Sequence, residues 1–338
     1  MNQFCRVLCL ALTTASLVGA SGAVAAEDKP PAYGMNLEAF DYPYPVERFN
    51  FVSQGQKVSM AYFDVKPQMP NGKTAVLLHG KNFCAATWES TTKALVEQGY
   101  RVIAVDQIRF CKSTKPDAYQ FTFQQLARNT RDLLASLNVT KPILIGHSTG
   151  GMLAIRYALM YPTEVERLVL VDPIGLEDWK AVGVPSLSVD EWAEREAKTT
   201  VATVMEYEKA SYYAGTWKPE FERWARMYAG MFNGADLPRM AHVTAQIDDM
   251  IYTQPVVYEF PQVKVPTLLI IGGKDRTALG RDLVSPAVRD RLGNYPELGR
   301  KTIEAIPGAK LVEFPDYGHA PWVQDPEKVN QAIVAGIR

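Results

Sequence analysis

The stretch Pro142-Ile143-Leu144-Ile145-Gly146-His147-Ser148-Thr149-Gly150 decides how this chain is read. Its second half is a Gly-x-Ser-x-Gly motif. An apolar run precedes the motif, and a helical pattern from Met152 to Met160 follows it. A serine on a sharp strand-to-helix turn is lifted out of the sheet with its hydroxyl exposed. The flanking glycines let the backbone fold tightly and keep side chains away from an incoming substrate. The five letters alone are a weak signal. The strand before, the helix after and a histidine late in the chain make it a strong one.

Outward from that turn, apolar strands alternate with helical stretches. The expected strands are 74–78, 101–106, 142–146, 167–172, 267–271 and 310–314, after a hairpin of 49–53 and 58–64 that turns at Gln54-Gly55-Gln56. Their near-continuous apolar character fits a parallel sheet covered on both faces. Helical patterns fill the gaps at 87–98, 122–137 and 152–160, with a final helix from Pro326. The alternation predicts an α/β fold with a mostly parallel, doubly wound sheet. One gap is too long for a simple crossover. Residues 176–256, rich in Trp and Tyr, read as a helical lid inserted after the sixth strand, its aromatics serving either as packing or as substrate wall.

The bulk properties bound the function. The chain has 338 residues, 47% hydrophobic and 22% charged, with a formal net charge of −1. No basic surplus points to nucleic acid. The length suits one large α/β domain with an insertion, or two domains. At the N-terminus, Arg6, the apolar run 7–18 and the small residues Ala23-Val24-Ala25-Ala26 have the layout of a secretory signal peptide over residues 1–26. The alternative is an uncleaved anchor. Residues 27–338 are then expected to be a soluble domain in the periplasm or outside the cell, with no later segment suited to membrane insertion. Cys5 and Cys9 would leave with the leader, and Cys84 and Cys111 would remain in an oxidising compartment, which raises the question of pairing.

A serine hydroxyl needs a base within hydrogen-bond reach, and the base needs an orienting carboxylate. The chain has four histidines: His79, His147, His242 and His319. His319, on the loop after the last strand, can swing back over a strand-end serine. Asp275, after the seventh strand, is the first choice of acid. Asp172, ending the sixth strand, is the alternative, and Asp316 reads as a turn residue. The oxyanion needs two fixed N–H donors. The amide of Thr149 supplies one, and the amide of Lys81, or failing that Asn82, supplies the other. The Lys81 side chain is expected to be solvated. Metal-ligand spacings and a phosphate-binding glycine loop are both missing from the sequence, so neither metal nor cofactor is expected.

His79-Gly80, Gly146-His147-Ser148-Thr149-Gly150, Gly272-Gly273-Lys274-Asp275 and Gly318-His319, in this order, resemble the α/β-hydrolase superfamily over residues 45–338. The resemblance implies an eight-stranded sheet, a lid over the serine and a Ser148–Asp275–His319 triad. Lid-bearing serine esterases are the members most resembled. One stretch departs from the family pattern: Arg109 and Cys111 stand where glycines are usual. In this fold the third and fourth strands are neighbours, so the loops bearing Cys84 and Cys111 leave one edge, and a Cys84–Cys111 disulfide is expected. Arg109 is expected either to attract an anionic substrate group at the pocket mouth or to pair with a surface carboxylate. The expected activity is hydrolysis of a small carboxylic ester through an acyl-enzyme. The same machinery on a lactone, amide, peptide or carbon–carbon bond, or a non-catalytic homologue, is the alternative. Oligomeric state is not legible in the sequence.

Overall fold

Eight strands form one sheet in the computed structural model, which describes Met1 and residues 32–338. The proposed leader therefore lies almost wholly outside the described residues. The strands are β1 (Glu47–Ser53), β2 (Gln56–Val65), β3 (Thr74–Leu78), β4 (Arg101–Val105), β5 (Ile143–His147), β6 (Arg167–Val171), β7 (Thr267–Gly272) and β8 (Lys310–Phe314). Their order across the sheet is β1-β2-β4-β3-β5-β6-β7-β8. Two pairings are antiparallel, β1 with β2 and β2 with β4, and every other pairing is parallel.

The apolar runs explain the middle of this sheet. β5 and β7 are buried at every position, as are all but the first residues of β3, β4 and β6. Strands covered on both faces cannot alternate polar and apolar residues. The hairpin turns at Gln54 and Gly55, both with positive φ, and Ser53 pairs with Gln56. That is the two-residue turn whose twist matches its strands. Three helices flank the central strands: α1 (Glu89–Glu97), α2 (Phe123–Ser136) and α3 (Thr149–Met160). Thr122 caps α2 by accepting from the amide of Gln125. A helix at Tyr295–Ala305, between β7 and β8, is not among the sequence-based expectations.

Between β6 and β7 the chain forms the expected helical insertion, including Val189–Glu196, Val201–Tyr207, Glu222–Ala229 and Leu237–Thr253. Its aromatics divide between two tasks. Tyr213 stacks on Phe221 with ring centroids 4.0 Å apart, and Trp217 meets the edge of that pair. Trp179, Trp192, Tyr207, Tyr212 and Tyr228 instead line a cavity of about 640 Å³ under the insertion.

All parallel strands end at one edge of the sheet. The chain enters at β3, crosses to β4 on one side and then to β5 on the other. Ligands of open α/β sheets bind beyond the strand ends at such a switch point. Two loops meet there and are cross-linked. Cys84, after β3, is bonded to Cys111, after β4. Asp106 ties the same loops together by accepting from Tyr42 Oη (2.6 Å), the amide of Ala85 (2.8 Å) and the amide of Lys112 (3.1 Å). Among the described residues no helix is long and apolar enough to cross a membrane.

The cross-link closes a loop of 27 residues. By loop entropy it should stabilise the fold by about 3 kcal/mol. Replacing both cysteines by serine is expected to lower the melting temperature by roughly 5–10 °C. Differential scanning calorimetry checks this, and a midpoint within about 1 °C of the parent would contradict it.

Candidate active site

Ser148 sits between β5 and α3 with φ 54° and ψ −120°. Side chains rarely adopt that region, and holding one there costs on the order of 1–3 kcal/mol. Backbone bonds fasten it. Its amide donates to Val171 O (3.2 Å), and its carbonyl accepts from the amides of Gly151 (2.9 Å) and Ile174 (3.3 Å). The glycines are sterically required. A Cβ on Gly146 would lie 2.3 Å from Gly150 O, and one on Gly150 would lie 2.1 Å from Leu78 O. The turn delivers Ser148 to the cavity wall beside Thr149, Lys81 and Asn82.

His319 and Asp275 come together although 44 residues apart. His319 Nδ1 lies 2.6 Å from Asp275 Oδ2, and both side chains are fully buried. A nitrogen facing a carboxylate carries the proton, so Nε2 is the ring's acceptor. The second Asp275 oxygen accepts from the amide of Thr277 (2.8 Å). Nε2 is buried and has no hydrogen-bond partner among the described residues, so the Ser148 hydroxyl is not bonded to it in this structure. Bonds of this kind commonly tighten only when substrate is present.

Three of the contacts that hold the His319 loop lie at His319 and Ala320. The amides of His319 and Ala320 donate to Ser211 O and Tyr212 O of the insertion, both at 3.1 Å. The third comes from His147, the residue directly before the serine. Its Nε2 donates to His319 O at 2.9 Å, and its ring packs 4.1 Å from that of Trp322. Burial, followed by the neighbouring His319, pushes the His147 pKa well below its usual value, so the ring stays neutral. His147 thus positions His319 through its backbone. A histidine directly before the serine was the only sequence signal for this. The other two histidines lie apart from this chemistry. His79 bonds Gly80 O (2.8 Å) and accepts from the amide of Gln107 (3.3 Å), while His242 is exposed.

The two candidate acids are distinguished by their partners. Asp172 is fully buried with φ 39°, and its Oδ1 accepts from the amide of Gly272 (2.8 Å). Burial first, and then the Asp275 carboxylate, push its pKa well above 3.8. The bond to His319 belongs to Asp275. Asp316 is exposed and pairs with Lys274 (3.2 Å).

Two expectations about loop side chains are corrected. Lys81 is not solvated. Its Nζ lies 2.8 Å from Glu196 and 2.5 Å from Asp248, both contributed by the insertion. Burial holds Asp248 above the usual carboxylate range, and Lys81 pulls it back. Arg109 does not line the cavity, and it pairs with no carboxylate among the described residues. It is buried, its Nε donates to Val243 O (3.1 Å), and its Nη2 donates to Thr244 Oγ1. Arg109 and Cys111 both have positive φ, 86° and 51°, so they keep the conformation that glycines would give. The guanidinium anchor and the disulfide hold them in it. Neither correction could be read from the sequence, because both partners lie far along the chain in the insertion.

The Thr149 amide opens α3, where helix N–H groups have no partner within the helix and the dipole favours negative charge. Thr149 and Lys81 line the cavity with Ser148. Among the described residues one cluster offers ligand atoms of the kind that bind metals: His79, Asp106 and Cys111. Its cysteine is in the disulfide, and its carboxylate and imidazole are held by the bonds above.

Comparison with known proteins supports the fold. A family model described as alpha/beta hydrolase fold matches residues 74–326. A solved structure of a probable hydrolytic enzyme from Pseudomonas aeruginosa PAO1 is 56% identical, covers 91% of this chain and 99% of its own, and superposes with a TM-score of 0.91. Lipase 1 of Psychrobacter immobilis is 26% identical, over 94% of this chain and 92% of its own. An esterase structure from Exiguobacterium antarcticum, at 21% identity and TM-score 0.67, covers 83% of this chain and 96% of its own and shares the fold.

The protonation of Asp172 has a measurable consequence. Burial raises this carboxyl's pKa in the folded chain above its unfolded value of about 4, so its contribution to stability falls as pH rises from there. Asp172→Asn keeps the acceptor for Gly272 and removes that loss. Urea unfolding at several pH values should show the variant gaining on the parent as pH rises from about 4 to 8. A gap that runs the other way would contradict the raised pKa of Asp172.

Proposed function

This chain belongs to the alpha/beta hydrolase fold family and is a hydrolase, and from that premise we propose that it cleaves carboxylic esters with Ser148 as nucleophile. The observation that carries the reading is the buried His319–Asp275 bond of 2.6 Å at the sheet edge where the Ser148 turn opens into a cavity. Ser148 Oγ attacks the ester carbonyl carbon as His319 Nε2 takes its proton. Asp275 keeps His319 in the tautomer that accepts at Nε2 and stabilises the imidazolium. The amides of Thr149 and Lys81 donate to the oxyanion of the tetrahedral intermediate. The bond from carbon to the leaving oxygen breaks, and His319 returns the proton to that oxygen. Water, deprotonated by His319, then releases the acid from Ser148.

The helical insertion acts as the lid in this reading. Trp179, Trp192 and Tyr212 flank the serine's cavity and exclude water from it. The order of events requires His319 Nε2 to meet the Ser148 hydroxyl once substrate fills the space between them. We place the protein outside the cytoplasm. The leader-like residues 1–26 and the Cys84–Cys111 bond support that placement.

A panel of p-nitrophenyl esters, anilides and lactones on the purified protein tests the reaction class. Ester turnover is expected to dominate and to fall by at least about 1,000-fold in Ser148→Ala. A variant that kept more than roughly a tenth of the activity would exclude Ser148 as nucleophile. Asp275→Asn should lose about 10,000-fold, because the wrong tautomer is then favoured. If Asp172→Asn proved the more damaging change, the acid would be Asp172.

A further inference from the structure

The cavity's charged residues sort into two groups. Lys81 is neutralised by Glu196 and Asp248, and Arg195 is paired with Asp282. Arg276, Arg281 and Arg289, which also line the cavity, have no carboxylate partner within ion-pair distance among the described residues. Their guanidinium groups bond only backbone carbonyls. Arg276 donates to Asp275 O and Gly273 O, Arg281 to Leu292 O, and Arg289 to Val284 O. Each retains N–H donors, since a guanidinium carries five. All three come from the segment that follows Asp275, so the acid of the site and this cationic wall are one piece of chain.

The three charges are close enough to disturb one another. The pKa of Arg281 is lowered by burial first and then by Arg276 and Arg289, with Asp290 and Glu177 offsetting this only in part. Arg276 and Arg289 are exposed and Arg281 is half-buried, so water screens their repulsion, and an anion entering the cavity would meet all three. A planar guanidinium with spare donors is suited to carboxylates.

We propose that this wall is an anion subsite, and that the substrate is an ester carrying a carboxylate on its acyl or alcohol part. The inference rests on the serine hydrolase reading and adds the substrate class. Neutral esters would make no use of those charges.

Binding to the Ser148→Ala protein tests this without depending on turnover. Three ligands are compared by calorimetry at low ionic strength. Phenyl butyrate is neutral, phenyl hemisuccinate carries its carboxylate on the acyl side, and 4-carboxyphenyl butyrate carries it on the alcohol side. At least one anionic ester should bind about tenfold more tightly than phenyl butyrate, and added salt should erode that preference. Combined Arg276→Gln, Arg281→Gln and Arg289→Gln substitutions should bring the ratio close to one, whereas lysine at the same positions should retain part of it. Equal affinity for all three esters would overturn the proposal, as would a preference that survives the glutamine substitutions. Labelling of the parent by a fluorophosphonate reports separately on Ser148. Labelling without an anionic preference would therefore remove the subsite and leave the serine reading standing.

Discussion

The backbone of Ser148 lies at φ 54°, and the turn that holds it there can close only if Gly146 and Gly150 carry no side chain. Everything chemical about this chain follows from that packing. β5 must end where α3 begins, so the carbonyl of Leu78 and the backbone of Gly150 nearly touch. The loop after β3 is thereby brought beside the serine, and the first amides of α3 point outward. The strain is held by the surrounding sheet, through the bonds to Val171 and Ile174.

A second layer joins the insertion to that edge through polar contacts. Lys81 reaches Glu196 and Asp248, and Arg109 reaches Val243 and Thr244. The His319 loop is fastened to Ser211 and Tyr212. Breaking one partner of a buried ion pair costs far more than the pair contributes, so such contacts fix geometry more than they add stability. The loop that carries the proposed oxyanion donor and the loop that carries the proposed base are thus both tied to the insertion. Movement of the insertion would disturb both at once.

Much of this was legible in the sequence because it is local or periodic. Apolar runs marked the strands, and the motif around Ser148 marked the turn. The position of His319 after the last strand and of Asp275 after β7 followed from chain order. The disulfide followed from the adjacency of two loops in a fold already inferred. What could not be read depends on long-range partners. Lys81 looks like any surface lysine until two acids more than a hundred residues later close on it. Arg109 looks like a ligand-facing charge until helix Leu237–Thr253 covers it. The helix Tyr295–Ala305 escaped notice because Gly299 interrupts its pattern. That glycine packs against Ile271, where a Cβ would come within 3.0 Å of the side chain.

A crystal structure of the protein after reaction with a phosphonate ester is the most direct test of the central claim that Ser148 is the nucleophile. The account predicts phosphorus bonded to Ser148 Oγ, its free oxygen facing the amides of Thr149 and Lys81, and His319 Nε2 within hydrogen-bond distance of the adduct. An unmodified Ser148 in protein that had otherwise kept its fold, or an adduct on another residue, would contradict it.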